Sequence, residues 1–277
     1  VPDSKKPVIT TPLGDLTLEA TGPQGAVATY SASATDDKDG AVPVVFTPPS
    51  GSVFPVGTTV VVANASDFAG NTASEFFHVT VQDTTPPVLS LPGEVVAEAT
   101  GPDGAAVMLS ASAEDIVGGA LPVTFSPASG STFPLGTTTV AASATDAAGN
   151  TATATFDVVV RDTTAAALRS LGASPSVLWP PNHRMVPVTV TADVQDAVGV
   201  AATRIVSVAS SEAPDGKGGK TGPDWQVTGD MTLLLRAQRD GGGSGHVYTI
   251  TVESRDAAGN VATAAVNVLV PHDQGKR

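Results

Sequence analysis

The chain has 277 residues, and its net charge of −13, from 27 acidic against 14 basic residues, argues against a nucleic-acid partner. It contains no cysteine, which excludes disulfides and thiolate metal sites, and no run of 18 apolar residues that would span a membrane. Apolar residues are mainly Ala and Val, and 28 Gly and 22 Pro are present. This composition is typical of short strands joined by tight turns and predicts an all-β protein.

Consecutive segments of the chain share several motifs at one spacing of 79 positions, for example from Glu19 to Glu98. A fixed period of this kind is the signature of tandem structural repeats. The recurring pairs are Glu19–Ala26 with Glu98–Ala105, Phe54–Thr59 with Phe133–Thr138, Asp67–Asn71 with Asp146–Asn150, and Asp83–Pro87 with Asp162–Ala166. A third copy of the last-hairpin motif, Asp256–Asn260, follows Asp146–Asn150 at a longer spacing of 110 positions. The pattern predicts three domains, 1–83, 84–163 and 164–277, with the surplus of the third in a surface loop around Ser210–Asp230.

Within each predicted domain the residues alternate as they do in strands. Apolar side chains occupy every second position of Thr151–Val160, with threonines and Asp157 between them. Period-two alternation predicts an antiparallel sheet with one buried face, as in a β-sandwich. Six phenylalanines pair at the spacing of 79 and are expected to anchor the cores: Phe46, Phe54, Phe77, Phe125, Phe133 and Phe156.

The motif Asp-x-Ala-Gly-Asn joins the last two predicted strands of each domain. Its glycine can adopt the positive φ of a hairpin turn, and its aspartate can accept backbone N–H bonds in that turn. Turn chemistry alone would explain these aspartates at Asp67, Asp146 and Asp256. A combined role in the turn and in binding an ion is the alternative.

Taken together, these motifs resemble the HYR (hyalin repeat) family of immunoglobulin-like domains. The resemblance rests on the openings and turns at 83–87, 98–102, 133–138 and 146–151, and the first domain matches almost as well. The third domain lacks two of these motifs, and its segment Leu178–His183 resembles immunoglobulin-like domains of bacterial surface and secreted proteins. The resemblance implies three tandem immunoglobulin-like antiparallel β-sandwich domains, an extracellular or cell-surface location, a bacterial source, an adhesive role and no catalytic residues.

The residues themselves give no support for an enzyme. None of the four histidines has a metal-ligand spacing, and no nucleophile motif is present. The glycine-rich run Gly241–Gly245 lacks the lysine and helix of a phosphate-binding loop, so we expect a hairpin tip. Trp179 and Trp225 could form a sugar-stacking platform, but the preferred interpretation is that each closes one end of the third domain.

A more specific feature is a set of acidic residues at one pole of each domain. In an immunoglobulin-like sandwich the entering linker, the loop between the second and third strands and the last hairpin meet at the same pole. In the second domain this pole would collect Asp83, Glu114, Asp115, Asp146 and Asn150, with Glu19 approaching from the first. In the third it would collect Asp162, Asp193, Asp196, Asp256 and Asn260, with Glu98 approaching, and in the first Asp3, Asp36, Asp37, Asp39, Asp67 and Asn71.

Clustered carboxylates repel one another, by about 4 kcal/mol at 4 Å near a protein surface. Calcium takes 6–8 oxygen ligands from carboxylates, carbonyls and water, and would reverse that repulsion. The sequence therefore predicts candidate calcium sites at the three poles, with no organic cofactor. Solvated polar loops on an acidic protein are the alternative.

The functional hypothesis is an extracellular structural protein, either a stalk or a filament-forming subunit, made rigid by calcium at its domain junctions. Its partners would be other copies of itself or other cell-surface proteins and glycans. The alternative is a cell-surface adhesin, or a glycan-binding or accessory module of a larger secreted protein. The extended segment Lys6–Thr10 could pair with a neighbouring chain, but pairing within its own domain is expected.

Overall fold

The computed structural model describes residues 2–10, 14–212, 223–239 and 245–272. These residues form strands and turns and contain no helix, so the chain is all-β and has no helix long and apolar enough to cross a membrane within the described ranges. The strands build the paired sheets of tandem immunoglobulin-like β-sandwiches. The chain also divides into two compact units, one of residues 1–93, 109–129 and 139–156 and one of residues 94–108, 130–138 and 157–277.

The first repeat consists of nine strands. They are β1 (Val8–Thr10), β2 (Leu16–Glu19), β3 (Ala26–Val27), β4 (Ser33–Asp36), β5 (Gly40–Val42), β6 (Val44–Thr47), β7 (Val53–Phe54), β8 (Gly57–Ser66) and β9 (Thr72–Gln82). One sheet has the order β1-β4-β5, the facing sheet has the order β2-β9-β8-β6, and β3 pairs with β7. Because β1 pairs antiparallel with β4, the extended N-terminal segment pairs within its own repeat, as predicted.

The second repeat reproduces this arrangement strand for strand. Its strands are β10 (Val88–Ser90), β11 (Val95–Glu98), β12 (Ala105–Ala106), β13 (Ser112–Asp115), β14 (Gly119–Leu121), β15 (Thr124–Ser126), β16 (Thr132–Phe133), β17 (Gly136–Thr145) and β18 (Thr151–Arg161). The sheet orders are β10-β13-β14, β11-β18-β17-β15 and β12-β16. The first strand of the larger sheet pairs parallel with the last in both repeats.

The C-terminal region has fewer and longer strands. They are β19 (Ala167–Ser174), β20 (Met185–Gln195), β21 (Val200–Ser210), β22 (Trp225–Gly229), β23 (Thr232–Arg236), β24 (Gly245–Asp256) and β25 (Val261–Pro271). They form the sheets β19-β20-β23-β22 and β21-β24-β25. The domain boundaries 1–83, 84–163 and 164–277 stay a prediction.

The buried face of each sheet follows the predicted alternation. Along β8, Val61 and Ala63 are buried while their neighbours face outward. Phe54 and Phe133 are also buried, and burial of a side chain of this size stabilises a fold by about 1.5–3 kcal/mol. In the first repeat Tyr30 completes the core, because its ring packs edge-to-face on Phe46 and Phe77 and its hydroxyl donates to the carbonyl of Pro48.

Two sequence predictions about the C-terminal region are wrong in part. The segment Ser210–Asp230 is not one long loop, because Trp225–Gly229 forms strand β22 against β23. Trp225 packs on the core beside Tyr248, as predicted, but Trp179 is 43% exposed and the neighbouring Leu178 fills the core instead. The predicted hairpin tip at 241–245 lies outside the described residues except for Gly245.

Candidate functional site

One acidic group forms where the linker enters the second repeat. Asp83 follows β9, Asp115 ends β13, and Asp146 begins the turn after β17. One carboxylate oxygen from each residue lies within 4.8 Å of the others. The linker, the strand loop and the last hairpin therefore meet at one pole of the second repeat.

Asp115 is held in a fixed orientation with one oxygen left over. Its Oδ1 accepts the backbone N–H groups of Val117 at 2.8 Å and Gly118 at 2.6 Å. Its Oδ2 is buried and has no hydrogen-bond partner among the described residues. A buried carboxylate oxygen without a partner is costly, because its desolvation is not repaid by a hydrogen bond.

Asp146 and Asn150 connect the hairpin turn to the linker. Asp146 Oδ1 accepts the N–H of Asn150, and Asp146 Oδ2 accepts the side-chain amide of Asn150, both at 2.8 Å. The same amide donates to the backbone carbonyl of Asp83 at 3.1 Å. Asn150 thus supports the group through its amide nitrogen, and its role as a metal ligand stays a prediction.

The C-terminal region builds the same group from Asp162, Asp196 and Asp256, whose carboxylate oxygens also lie within 4.8 Å of one another. Asp196 Oδ1 accepts the backbone N–H groups of Val198 and Gly199, both at 2.8 Å. The side-chain amide of Asn260 donates to Asp256 Oδ2 at 2.8 Å and to the backbone carbonyl of Asp162 at 3.1 Å. The buried oxygen without a hydrogen-bond partner is here Asp162 Oδ2.

The first repeat gathers four carboxylates and one ammonium group. The carboxylates belong to Asp3, Asp36, Asp39 and Asp67 and lie within 4.8 Å of one another. Lys38 Nζ lies 3.7 Å from Asp3 Oδ1. The second and third groups contain no such cation in their own turns, because valine stands at the corresponding positions.

The pKa shifts differ between positions within the groups. Burial opposes the shift, but hydrogen bonds from Asn150 and Asn260 lower the pKa of Asp146 and Asp256. Burial raises the pKa of Asp83, and the carboxylates of Asp115 and Asp146 raise it further. The pKa of Asp162 is raised by the same causes, burial first and then the neighbouring carboxylates. The pKa of Asp36 is instead lowered, first by the N–H groups that it accepts and also by the charge of Lys38.

Five predicted site residues lie outside these groups. Glu114 is an exposed residue of β13 that pairs with Ala120 in the strand ladder. Asp37 pairs with Lys5 at 2.8 Å, and Asp193 is an exposed residue of β20 that pairs with Ser170 in the strand ladder. Glu19 and Glu98 bind the linkers directly. Their roles as metal ligands stay predictions that the geometry does not favour.

Each glutamate holds two threonines of the linker that follows its repeat. Glu98 accepts the N–H of Thr163 at 2.7 Å, the hydroxyl of Thr163 at 2.8 Å and the hydroxyl of Thr164 at 2.9 Å. Glu19 accepts the corresponding three bonds from Thr84 and Thr85 at 2.7–3.0 Å. We call this contact the glutamate clamp. The sequence predicted that Glu19 and Glu98 approach these junctions, but as metal ligands, and their bonds to the threonines were not predicted.

The second and third groups offer the kind of oxygen ligands that a hard divalent cation requires. Each presents carboxylate oxygens with a net negative charge, and each contains one buried oxygen that no donor satisfies. Oxygen donors in flexible number are the ligands that calcium takes.

The family model described as "HYR domain" matches residues 2–81 and 82–160. Hyalin of Lytechinus variegatus is 36% identical over 172 residues, which cover 58% of this chain and 32% of that protein. Hyalin of Strongylocentrotus purpuratus is 38% identical over 165 residues, covering 57% of this chain and 14% of that protein. This chain therefore spans about a third or less of the length of these relatives.

The solved structures that match this chain include a protocadherin gammaB7 fragment, with 13% identity, a TM-score of 0.34 and coverage of 95% of this chain and 77% of that chain. A titin I-band fragment has 11% identity, a TM-score of 0.32 and coverage of 94% and 96%. The named relatives lend no support to a bacterial source. The family match ends at residue 160, so the resemblance of the C-terminal region to bacterial domains stays a prediction.

Proposed function

The chain belongs to the HYR domain family, and we propose that it is an extracellular structural protein of the adhesion type, a stalk whose linkers are fixed by calcium. The observation that carries this proposal is the carboxylate group Asp83, Asp115 and Asp146, since it combines a linker residue with two residues of the repeat that follows.

The linker between the two HYR repeats is already held by several contacts. Glu19 clamps Thr84 and Thr85 from the side of the first repeat, and Asn150 bonds the carbonyl of Asp83 from the side of the second. Val117, in the turn after β13, packs against the core cluster of the first repeat. A linker with bonds at both ends favours a fixed connection over a flexible tether.

Calcium would complete this connection by offsetting the repulsion within the group. Burial first, and then the carboxylates of Asp115 and Asp146, raise the pKa of Asp83, which supports a role for a cation beside it. A divalent cation among these oxygens turns the repulsion into attraction and ties the linker to the repeat. The Asp162 group offers the same connection before the C-terminal region.

The hyalin relatives support an extracellular or cell-surface location and a non-enzymatic role in contact with other cell-surface proteins. A filament of identical chains is the more specific form of this proposal. Negative-stain electron microscopy in calcium distinguishes the two forms, because a stalk stays dispersed whereas a filament subunit assembles.

Thermal unfolding in calcium and in EGTA tests the calcium proposal. A ligand at 100 times its dissociation constant adds about 2.7 kcal/mol per site, so we expect a higher Tm in calcium. Asp146→Asn should reduce this gain, while Asp103→Asn, an exposed carboxylate outside the groups, should leave it unchanged. Equal Tm values in calcium and EGTA would contradict the proposal.

A further inference from the structure

We propose that the divalent cation binds to the Asp83 and Asp162 groups and not to the Asp3 group, where Lys38 supplies the positive charge. This inference rests on the calcium proposal above and specifies which groups bind the ion. It predicts two bound calcium ions for each chain, although three acidic groups are present.

Evidence for a ligand at the two binding groups goes beyond their acidity. Asp115 is 6% exposed and Asp162 is 9% exposed, and each carries a buried Oδ2 without a hydrogen-bond partner. One carboxylate oxygen of each residue lies within 4.8 Å of the other carboxylate oxygens of its group. A buried, oriented and unsatisfied carboxylate oxygen needs a cation or a donor, and the described residues provide neither within these two groups.

Lys38 occupies a position that the three turns share. Asp36, Asp115 and Asp196 each accept two consecutive backbone N–H groups with Oδ1, and the first of these N–H groups belongs to Lys38, Val117 and Val198 respectively. The three residues therefore stand at one structural position. A lysine there places an ammonium group beside the carboxylates, and a valine does not.

The Lys38 ammonium faces the linker carboxylate of its own group. In each group the Oδ1 atom of the first aspartate accepts the backbone N–H of the residue two positions later in the chain. Asp3, Asp83 and Asp162 therefore occupy the same structural position in their groups. Lys38 Nζ lies 3.7 Å from Asp3 Oδ1. Asp36 Oδ2 lacks a hydrogen bond just as Asp115 Oδ2 does, so the feature that distinguishes the first group is the ammonium of Lys38 beside Asp3.

The first group contains one additional acidic residue, Asp39, which does not make it a calcium site. Asp39 replaces the Gly118 of the second repeat, but its Oδ2 accepts the N–H of Phe68 at 2.8 Å and thereby holds the hairpin turn. The group thus has one carboxylate and one ammonium more than the others. The ammonium offsets the charge of the additional carboxylate. Because it lies 3.7 Å from Asp3 Oδ1, a divalent cation would have to displace it or bind beside it, which we expect to weaken binding by about tenfold or more.

Isothermal titration of the whole chain with calcium chloride tests this assignment. We expect two ions per chain, one ion after either Asp115→Asn or Asp196→Asn, and a third ion, or at least tenfold tighter binding at a third site, after Lys38→Val. Asp193→Asn, on the exposed face of β20, is the matched control and should keep two ions.

The possible outcomes distinguish this assignment of two binding groups from the more general proposal that the chain binds calcium. Three ions of similar affinity in the unsubstituted chain, or no additional binding after Lys38→Val, would overturn the assignment and leave calcium binding intact. Complete absence of binding would overturn both. The unsubstituted chain and Lys38→Val, a substitution in an exposed turn, keep the test decisive even if an aspartate variant fails to fold.

Discussion

Gly25 stands where any side chain would meet the backbone of the neighbouring strand. Its φ is +97°, and a Cβ there would lie 1.9 Å from the carbonyl oxygen of Phe54. Gly25→Ala therefore combines an unfavourable dihedral angle with a steric overlap, and we expect it to cost on the order of 3 kcal/mol or more. Calorimetry of the first repeat's unfolding transition measures this loss.

Gly22→Ala is the control for this substitution, because it lies in the same turn and a Cβ there meets no heavy atom within 4 Å. It should shift the transition far less. Similar losses for both variants would show that the turn tolerates no substitution at all, which would contradict the specific role of Gly25.

Residues that recur could be placed from the sequence, and residues that differ between repeats could not. Asp83, Asp115 and Asp146 were predicted to meet because their motifs recur and because the poles of a sandwich collect fixed loops. Lys38 was missed, since its only signal is that it differs from Val117, and a difference has meaning only once the two turns are superimposed.

The glutamate clamp joins a strand end to a linker, and its strength depends on the charge of Glu98. Bonds from Thr163, and then from Thr164, lower the pKa of Glu98. A carboxyl group with a lowered folded pKa stabilises the fold fully above its unfolded value of about 4.3, and that contribution is lost as the pH falls through the folded pKa. NMR of the Thr163 amide proton should show a titration midpoint below the ordinary glutamate value.

Glu98→Gln should abolish that titration and should make the Thr163 amide exchange faster at neutral pH. Asp103→Asn, an exposed carboxylate of the same repeat, should leave both signals as they are. A midpoint at or above the ordinary value would show that the clamp is not formed in solution.

At the level of strands, the sequence predicted the two HYR repeats better than the C-terminal region. Alternation in Thr151–Val160 corresponds to β18, and the hairpin motif joins β17 to β18 as expected. Strand β22 was missed because Trp225–Gly229 follows a run of Gly, Lys and Pro, and because four of its five residues are exposed. An exposed edge strand has no buried face to impose the alternation that identifies strands.

The whole molecule is strongly acidic, and more than a third of its acidic residues lie in the three carboxylate groups. The net charge is −13, and ten of the aspartates lie in the three groups. Such charge keeps a chain soluble but opposes its compact state by self-repulsion. The carboxylate groups therefore make the stability of the molecule depend on its ionic environment.

Sodium chloride should consequently stabilise the chain when divalent cations are removed. In EGTA, raising the salt from about 0.05 M to about 0.5 M shortens the screening length to a few ångströms and should raise the Tm. With saturating calcium the same change should have a smaller effect, because the bound ion already offsets the repulsion. The double variant Asp83→Asn, Asp162→Asn should show the weaker salt dependence even in EGTA, since it removes one carboxylate from each of two groups. A salt effect of equal size in calcium, in EGTA and in the double variant would show that the repulsion lies elsewhere on the acidic surface.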